Sequence, residues 1–406
     1  MRRPRLPARI RSALGPDARQ ALVALGLNST TSLVAGAFLS AITGTLVRYP
    51  GLLVLVPAAI GMRGNIFGSF GNRISTTIHT GTFSLSARPD TVLGQNVLAA
   101  GILTAGISLL AAGVAKAVAV GLGVEDTISL LDLATVSIVG GSLASLVVLG
   151  ASLALTSGSV RYGWDLDNVN APLVSTMGDV LTLPALWLAT GLLGIAVVST
   201  GIGLVLSVAA AAVLVWGLRT SMPELRRIVR ESVPVLLAAA ALSAMAGVTL
   251  EKSFDHLDAF PALLVLAPAF VSSAGALGGI LSGRLSSKLL LGLVEADNRP
   301  GRTARADIAF VFLLALPVYA FNGVGAHLVA VLLDQRSPGL GEMTAIAMLG
   351  GAVVMAFVVV VAYEGTIVAF RTGLDPDTYG VPVVSSSVDF VGALTLILAI
   401  SILGIV

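Results

Sequence analysis

Long apolar runs dominate the chain, and short polar links separate them. Segments able to cross about 30 Å of hydrocarbon fall at 20–47, 51–80, 92–122, 128–158, 170–197, 199–218, 232–250, 260–291, 307–333, 343–370 and 381–405. The pattern predicts eleven membrane helices with no appended soluble domain. Two of the runs carry an acid inside the span, Asp179 and Asp389. An ionisable side chain in hydrocarbon is costly and by default marks function.

The second half of the chain repeats the first. Tyr49-Pro-Gly-Leu-Leu-Val-Leu-Val-Pro-Ala58 answers to Phe260-Pro-Ala-Leu-Leu-Val-Leu-Ala-Pro-Ala269 at an offset of 211, and Gly140-Gly141 to Gly350-Gly351 at 210. Helices 1–5 thus match helices 7–11, and helix 6 has no counterpart. The expected organisation is a basic tail (1–19), a first five-helix repeat (20–197), a linker helix (198–218), a basic loop (219–231) and a second repeat (232–406).

Charge decides whether the repeats run parallel. With helix 6 and an inside N-terminus, 17 of the 24 Lys and Arg fall on the cytoplasmic side; without helix 6 the split is ten against ten. Cytoplasmic loops are enriched in Lys and Arg. The reading is therefore an all-α polytopic membrane protein of about eleven transmembrane helices, two parallel five-helix repeats joined by a linker helix. It places the chain in the cytoplasmic membrane with its N-terminus inside and its C-terminus outside.

Composition agrees: 56% of residues are hydrophobic, 11% are charged, and mean hydropathy is +0.95. Absence of cysteine excludes disulfides, thiolate metal sites and cysteine nucleophiles. His79, His256 and His327 do not cluster, and no nucleophile–base constellation appears. We expect no enzyme, no bound cofactor and no nucleic-acid partner.

The candidate chemistry lies in Asp165–Asp179 and Asp375–Asp389, matched at 210. Pro172, Ser175, Asp179 and Thr182 share one helical face, and so do Pro382, Ser385, Asp389 and Gly392. The acidic pairs Asp165/Asp167 and Asp375/Asp377 stand at the mouths, either as cation-attracting groups or as helix N-caps. Helix 2 carries Gly61, Gly64, Gly68, Gly71 and Ser75 at three–four spacing, and helix 8 carries Ser272, Gly275, Gly279, Ser282 and Ser286. Such stripes serve close helix packing or open a hydrated lumen with exposed carbonyls. Asn65 and Asn72 add amide oxygens in the first half only. Parallel symmetry would bring Asp179 and Asp389 face to face, where they repel unless a cation or proton intervenes. An all-oxygen set suits hard cations, magnesium or calcium. The candidate metal residues are Asp179, Asp389, Ser175, Ser385, Asn65, Gly64, Gly275, Asp167 and Asp377.

Pro57-Ala-Ala-Ile-Gly-Met-Arg-Gly64-Asn65-Ile-Phe-Gly68-Ser-Phe-Gly-Asn-Arg73-Ile-Ser75-Thr76, with the Asp165–Asp179 run, resembles the membrane domain of the MgtE magnesium channels. The doubled layout is similar to their solute-carrier relatives in eukaryotes. The resemblance implies a magnesium pore lined by helices 2 and 5 of both repeats, with the ion between Asp179 and Asp389. One chain would supply both acids, so a monomer suffices, and a dimer is compatible. Other divalent cations and membrane lipids are the remaining expected partners. The rivals are a sodium- or proton-coupled magnesium exchanger on the same scaffold and, more remotely, a membrane scaffold or lipid-handling protein. Unmatched charges Arg63 and Glu364 are expected to pair, or Glu364 to bind a coupling ion. Lys116 should snorkel, His327 should be a hydrogen-bonded structural residue, and Arg73 and Arg284 should pair with lipid or carboxylate.

Overall fold

The computed structural model describes residues 16–79, 83–86, 88–124, 126–162, 166–194, 196–290, 292–297, 299–372 and 381–405. Within them, side chains are described except at 16–17, 72, 76, 79, 159, 162–175, 194, 196–199, 255–256, 287, 290 and 381–384. Eleven long helices emerge among the described residues, each apolar enough to cross a membrane. They are α1 (Pro16–Ala41), α2 (Leu52–His79), α3 (Val92–Gly121), α4 (Leu130–Tyr162), α5 (Leu166–Thr190), α6 (Ala196–Arg219), α7 (Pro223–Lys252), α8 (Ala262–Leu290), α9 (Arg302–Leu332), α10 (Leu340–Thr372) and α11 (Val381–Ile402). Short helices Thr43–Arg48 and Phe254–Ala259 follow α1 and α7 at matching positions. The internal repeat thus extends to the connections. Leucine, valine and tryptophan side chains such as Leu146, Trp187, Val205 and Leu332 stand exposed on the outside, as lipid-facing residues do. This is a multi-pass membrane protein.

The first helix of each half packs mainly on the other half. α1 lies along α8 and α9, and α7 lies along α2 and α3, while each also touches the last helix of its own half, α5 or α11. The apolar core follows the same path: Leu225, Ile228 and Val229 of α7 cluster with Phe67, Phe70 and Ile74 of α2. The exchange depends on two glycines 211 residues apart. A Cβ on Gly36 would strike the backbone carbonyl of Val265, and one on Gly247 the carbonyl of Val54. Without lipid-excluding hydrophobic force between helices, such backbone contact is a main source of packing energy.

Polar contacts finish the exchange at one end of the bundle. Glu251 of α7 accepts hydrogen bonds from the amides of Gly51 and Leu53, at 2.7 Å for the first. A carboxylate there satisfies amides that the start of α2 leaves bare. On the other side Ser40 of α1 donates to Gln335 at 2.7 Å.

The paired charges also follow the repeat. Arg284 of α8 bonds Asp307 of α9 at 2.9 Å, joined by Lys288 at 2.5 Å, and Arg73 of α2 bonds Asn96 of α3 at 2.7 Å. Arg284 thus finds the expected carboxylate, whereas Arg73 takes a neutral amide. Lys116 does not snorkel; its ammonium donates to the carbonyls of Thr127 and Ile128, which close the α3–α4 connection. His327 contacts Ser337 at 2.9 Å at the matching place in the second half. The unpaired helix α6 lies outside against α3 and α4, with Gly106 seated under Leu214.

A branched side chain at either crossing glycine should force the two halves apart. We expect Gly36→Val and Gly247→Val each to destabilise the fold by about 1–3 kcal/mol, read as a lower thermal transition in detergent. Gly26→Val, where a Cβ meets no described atom within 4 Å, should leave it nearly unchanged.

Candidate functional site

Exchange of the first helices carries their hydroxyls to the two mid-span acids. Asp179 stands in the middle of α5 and is 8% exposed. Its Oδ2 accepts from Ser32 Oγ of α1 at 2.9 Å and lies 3.3 Å from Ser272 Oγ of α8. Asp389 of α11 accepts from Ser243 Oγ of α7 at 3.1 Å. Ser32 and Ser243 are 211 apart, so the two clusters are built alike. A mid-helix serine usually bonds back to a carbonyl of its own helix; these two reach across to a carboxylate instead. Each half contributes one acid, Asp179 on α5 and Asp389 on α11.

The second helix of the opposite half faces each acid. Ser272 faces Asp179, and its counterpart Gly61 faces Asp389, where a Cβ would sit 3.8 Å from Oδ2. Gly275 lies beside Ser385, with 3.8 Å between its would-be Cβ and Oγ. At Gly64, Gly68, Gly279 and Gly283 a Cβ would meet no described atom within 4 Å. Among the described atoms these positions leave space beside α2 and α8, whereas Gly36, Gly140, Gly247 and Gly323 meet the backbone of a neighbouring helix. Asn65, partly buried, follows Gly64 on α2. The side chains of Asp167, Ser175 and Asn72, and all of Asp165, Asp375 and Asp377, lie outside the described residues.

Among the described residues, no three His, Asp or Glu side chains gather as a metal cluster. Two carboxylates among hydroxyls and an amide offer only oxygen ligands, too few to strip a cation of its water. Magnesium gives up water reluctantly and keeps several molecules when bound by one or two carboxylates. The oxygen set therefore fits a largely hydrated hard cation.

Ser32, Ser243 and Asn28 are the members that sequence reasoning overlooked. Applying the 211-residue offset to α1 and α7 would have found the serine pair. Asn28 has no such signal, because its counterpart is Ala239.

Arg63 departs from expectation. It is buried on the face of α2 turned to α3 and α4 and donates to the Ala59 carbonyl. Its guanidinium rests where a Cβ on Gly141 would be, beside Ser108. Glu364 is exposed on α10, which packs on α8, α9 and α11, so the two do not pair. Opposite signs without counterparts suggested a partnership, but the helices that carry them do not adjoin. In the second half the equivalent space beside Gly351 is filled by Tyr319, the counterpart of Ser108. A methyl at Gly141 or Gly351 has nowhere to go. Gly141→Ala and Gly351→Ala should each cost about 1–3 kcal/mol, measured by thermal unfolding against Gly150→Ala, where a Cβ meets no described atom.

The chain was also compared with known proteins. The family model MgtE, described as a divalent cation transporter, matches residues 56–189 and 267–399, one stretch in each half. Mouse solute carrier family 41 member 3 is 22% identical over 372 residues, covering 84% of this chain and 73% of the mouse protein. Human solute carrier family 41 member 2 is 23% identical over 371 residues, 86% of this chain and 63% of the human protein. Its Xenopus laevis namesake is 24% identical over 392 residues, 87% and 66% respectively. The chain therefore spans about three-quarters of the first relative and just under two-thirds of the other two. No solved structure matches it.

Proposed function

The chain belongs to the MgtE family of divalent cation transporters, and from that premise we propose that it carries Mg2+ across the cytoplasmic membrane. The ion passes along α2, α5, α8 and α11 and is held, still largely hydrated, between Asp179 and Asp389. The observation that carries this reading is the repeated pair of mid-span carboxylates, each fixed by a serine from the first helix of its half. Two unpaired carboxylates near one another repel; a divalent cation between them removes the repulsion. Serine bonds to Oδ2 hold each carboxylate in place, and small residues on α2 and α8 keep the approach open.

One chain supplies both acids, so the transporting unit is a monomer. Ser385 and Gly275 border the Asp389 side, while Gly64 and Asn65 offer backbone and amide oxygens along α2. Ser175, four residues before Asp179, and Asp167 and Asp377, each twelve residues before its mid-span acid, complete the proposed ligand set.

The test is Mg2+ uptake by liposomes containing the purified chain. Asp179→Asn and Asp389→Asn should each lower uptake at least about tenfold, a loss near 1.4 kcal/mol, while leaving the protein folded. Uptake equal to wild type in both variants would overturn the proposal. Orientation is testable because the chain has no cysteine. We expect Ser221→Cys, between α6 and α7, to react with an impermeant maleimide only from the cytoplasmic side, and Asp334→Cys, after α9, only from outside.

A further inference from the structure

The two acid clusters are built alike but are not equally furnished. On α1, Asn28, Ser32 and Gly36 are spaced four apart and share a face. Gly36 meets Val265, Ser32 bonds Asp179, and Asn28 meets Ser272. On α7 the corresponding residues are Ala239, Ser243 and Gly247, and Ser272 is answered by Gly61. An amide and a hydroxyl thus stand at the Asp179 cluster and have no counterpart at Asp389.

Hydrogen bonding at that cluster does not balance as it stands. Ser272 Oγ lies 3.2 Å from Asn28 Oδ1 and 3.3 Å from Asp179 Oδ2. A serine hydroxyl has one hydrogen, and Asp179 Oδ2 already accepts from Ser32, so in this setting Ser272 serves the Asn28 oxygen. The Asn28 Nδ2, buried, has no acceptor among the described residues. Turning the amide by half a revolution, which its nearly superimposable oxygen and nitrogen allow, changes which atom is unmet and gives Asp179 a second donor. Nδ2 then donates to Ser272, and Ser272 donates to Asp179. The Asn28 oxygen is left buried and without a donor among the described residues, which is costly unless a cation meets it.

We propose that Asn28 is a specificity-determining ligand of the transported divalent cation, its amide oxygen joining the Asp179 carboxylate and the Ser272 hydroxyl in the primary half-site. This rests on the cation-transport reading above and deepens it: the two acids are unequal. The ion settles first at Asp179, where three oxygen-bearing side chains from α1, α5 and α8 meet, and Asp389 receives it next. Hard, small cations reward such a set of neutral and anionic oxygens.

The test is calorimetric Mg2+ binding to the full chain in detergent, alongside liposome uptake. Asn28→Ala, which installs the residue found at Ala239, should weaken binding about tenfold, comparable to the loss of one charge-assisted bond. Asn28→Asp, which keeps an oxygen but loses the amide donor, should bind as tightly as wild type or tighter. Wild-type binding in Asn28→Ala, or equal weakening in both variants, would overturn the proposal; the second result makes Asn28 a structural N–H donor. If Asn28→Ala does not fold, Ser272→Gly decides: about tenfold weaker binding supports the proposal, and unchanged binding overturns it. A wild type that neither binds nor carries Mg2+, or Asp179→Asn and Asp389→Asn variants that both carry it as an active wild type does, overturn the transport reading itself. Wild-type transport abolished by Asp179→Asn but untouched by Asn28→Ala overturns this inference alone.

Discussion

Everything in the molecule depends on the reciprocal approach of α1 to Val265 and of α7 to Val54, each made possible by a glycine. In a bilayer the surrounding lipid is as apolar as the helices, so burying leucine gains little and backbone contact gains much. The crossing has a chemical result. Having Gly36 and Gly247 against the opposite half fixes the rotation of α1 and α7, which aims Ser32 and Ser243 back at the acids of their own half. One contact thus joins the halves and orients the site. Serine anchors also answer a cost specific to this environment, because a carboxylate in hydrocarbon without donors would be several kcal/mol worse than one with them.

Much of this architecture is legible in the residues. Eleven runs of apolar side chains appear as eleven helices, because backbone groups in lipid must satisfy themselves and the helix is the segment that does so. Repeat offsets, read from Tyr49–Ala58 and Gly140-Gly141, hold down to the short helices after α1 and α7. The expected prominence of Asp179 and Asp389 rests on the same arithmetic, and each acid accepts a hydrogen bond from a serine of the first helix of its half. Legibility ends where information is carried by distance in space. Nothing local marks Gly36 or Gly247 as crossing points among 45 glycines, and serines within apolar helices are common. Arg63 and Glu364 matched in sign and isolation but sit on helices that never adjoin; charge complementarity is no substitute for geometry.

The departures from symmetry are as informative as the repeat. Arg63 occupies the seat beside Gly141 and Tyr319 the seat beside Gly351, so a cation in one half is replaced by a phenol in the other. A buried network of Ser29, Ser273 and Asn322 links α1, α8 and α9, where α7, α2 and α3 carry Ala240, Met62 and Ala111. In an assembly of two identical chains every substitution would act twice, once on each side of the axis. Having both halves in one polypeptide lets a residue change on one side alone, and these pairs are places where it has.

The crossed packing of α1 also has a bearing on biosynthesis. Its principal neighbour, α8, leaves the ribosome roughly 230 residues after it, which at ~5–20 residues per second is an interval of about 10–50 s. Through that interval Asn28 and Ser29 of α1, whose partners Ser272 and Ser273 lie on α8, face either lipid or the insertion machinery. Maturation of the first half therefore waits on translation of the second, and a ribosome that stalls between them leaves an incomplete α1 face for quality control to recognise.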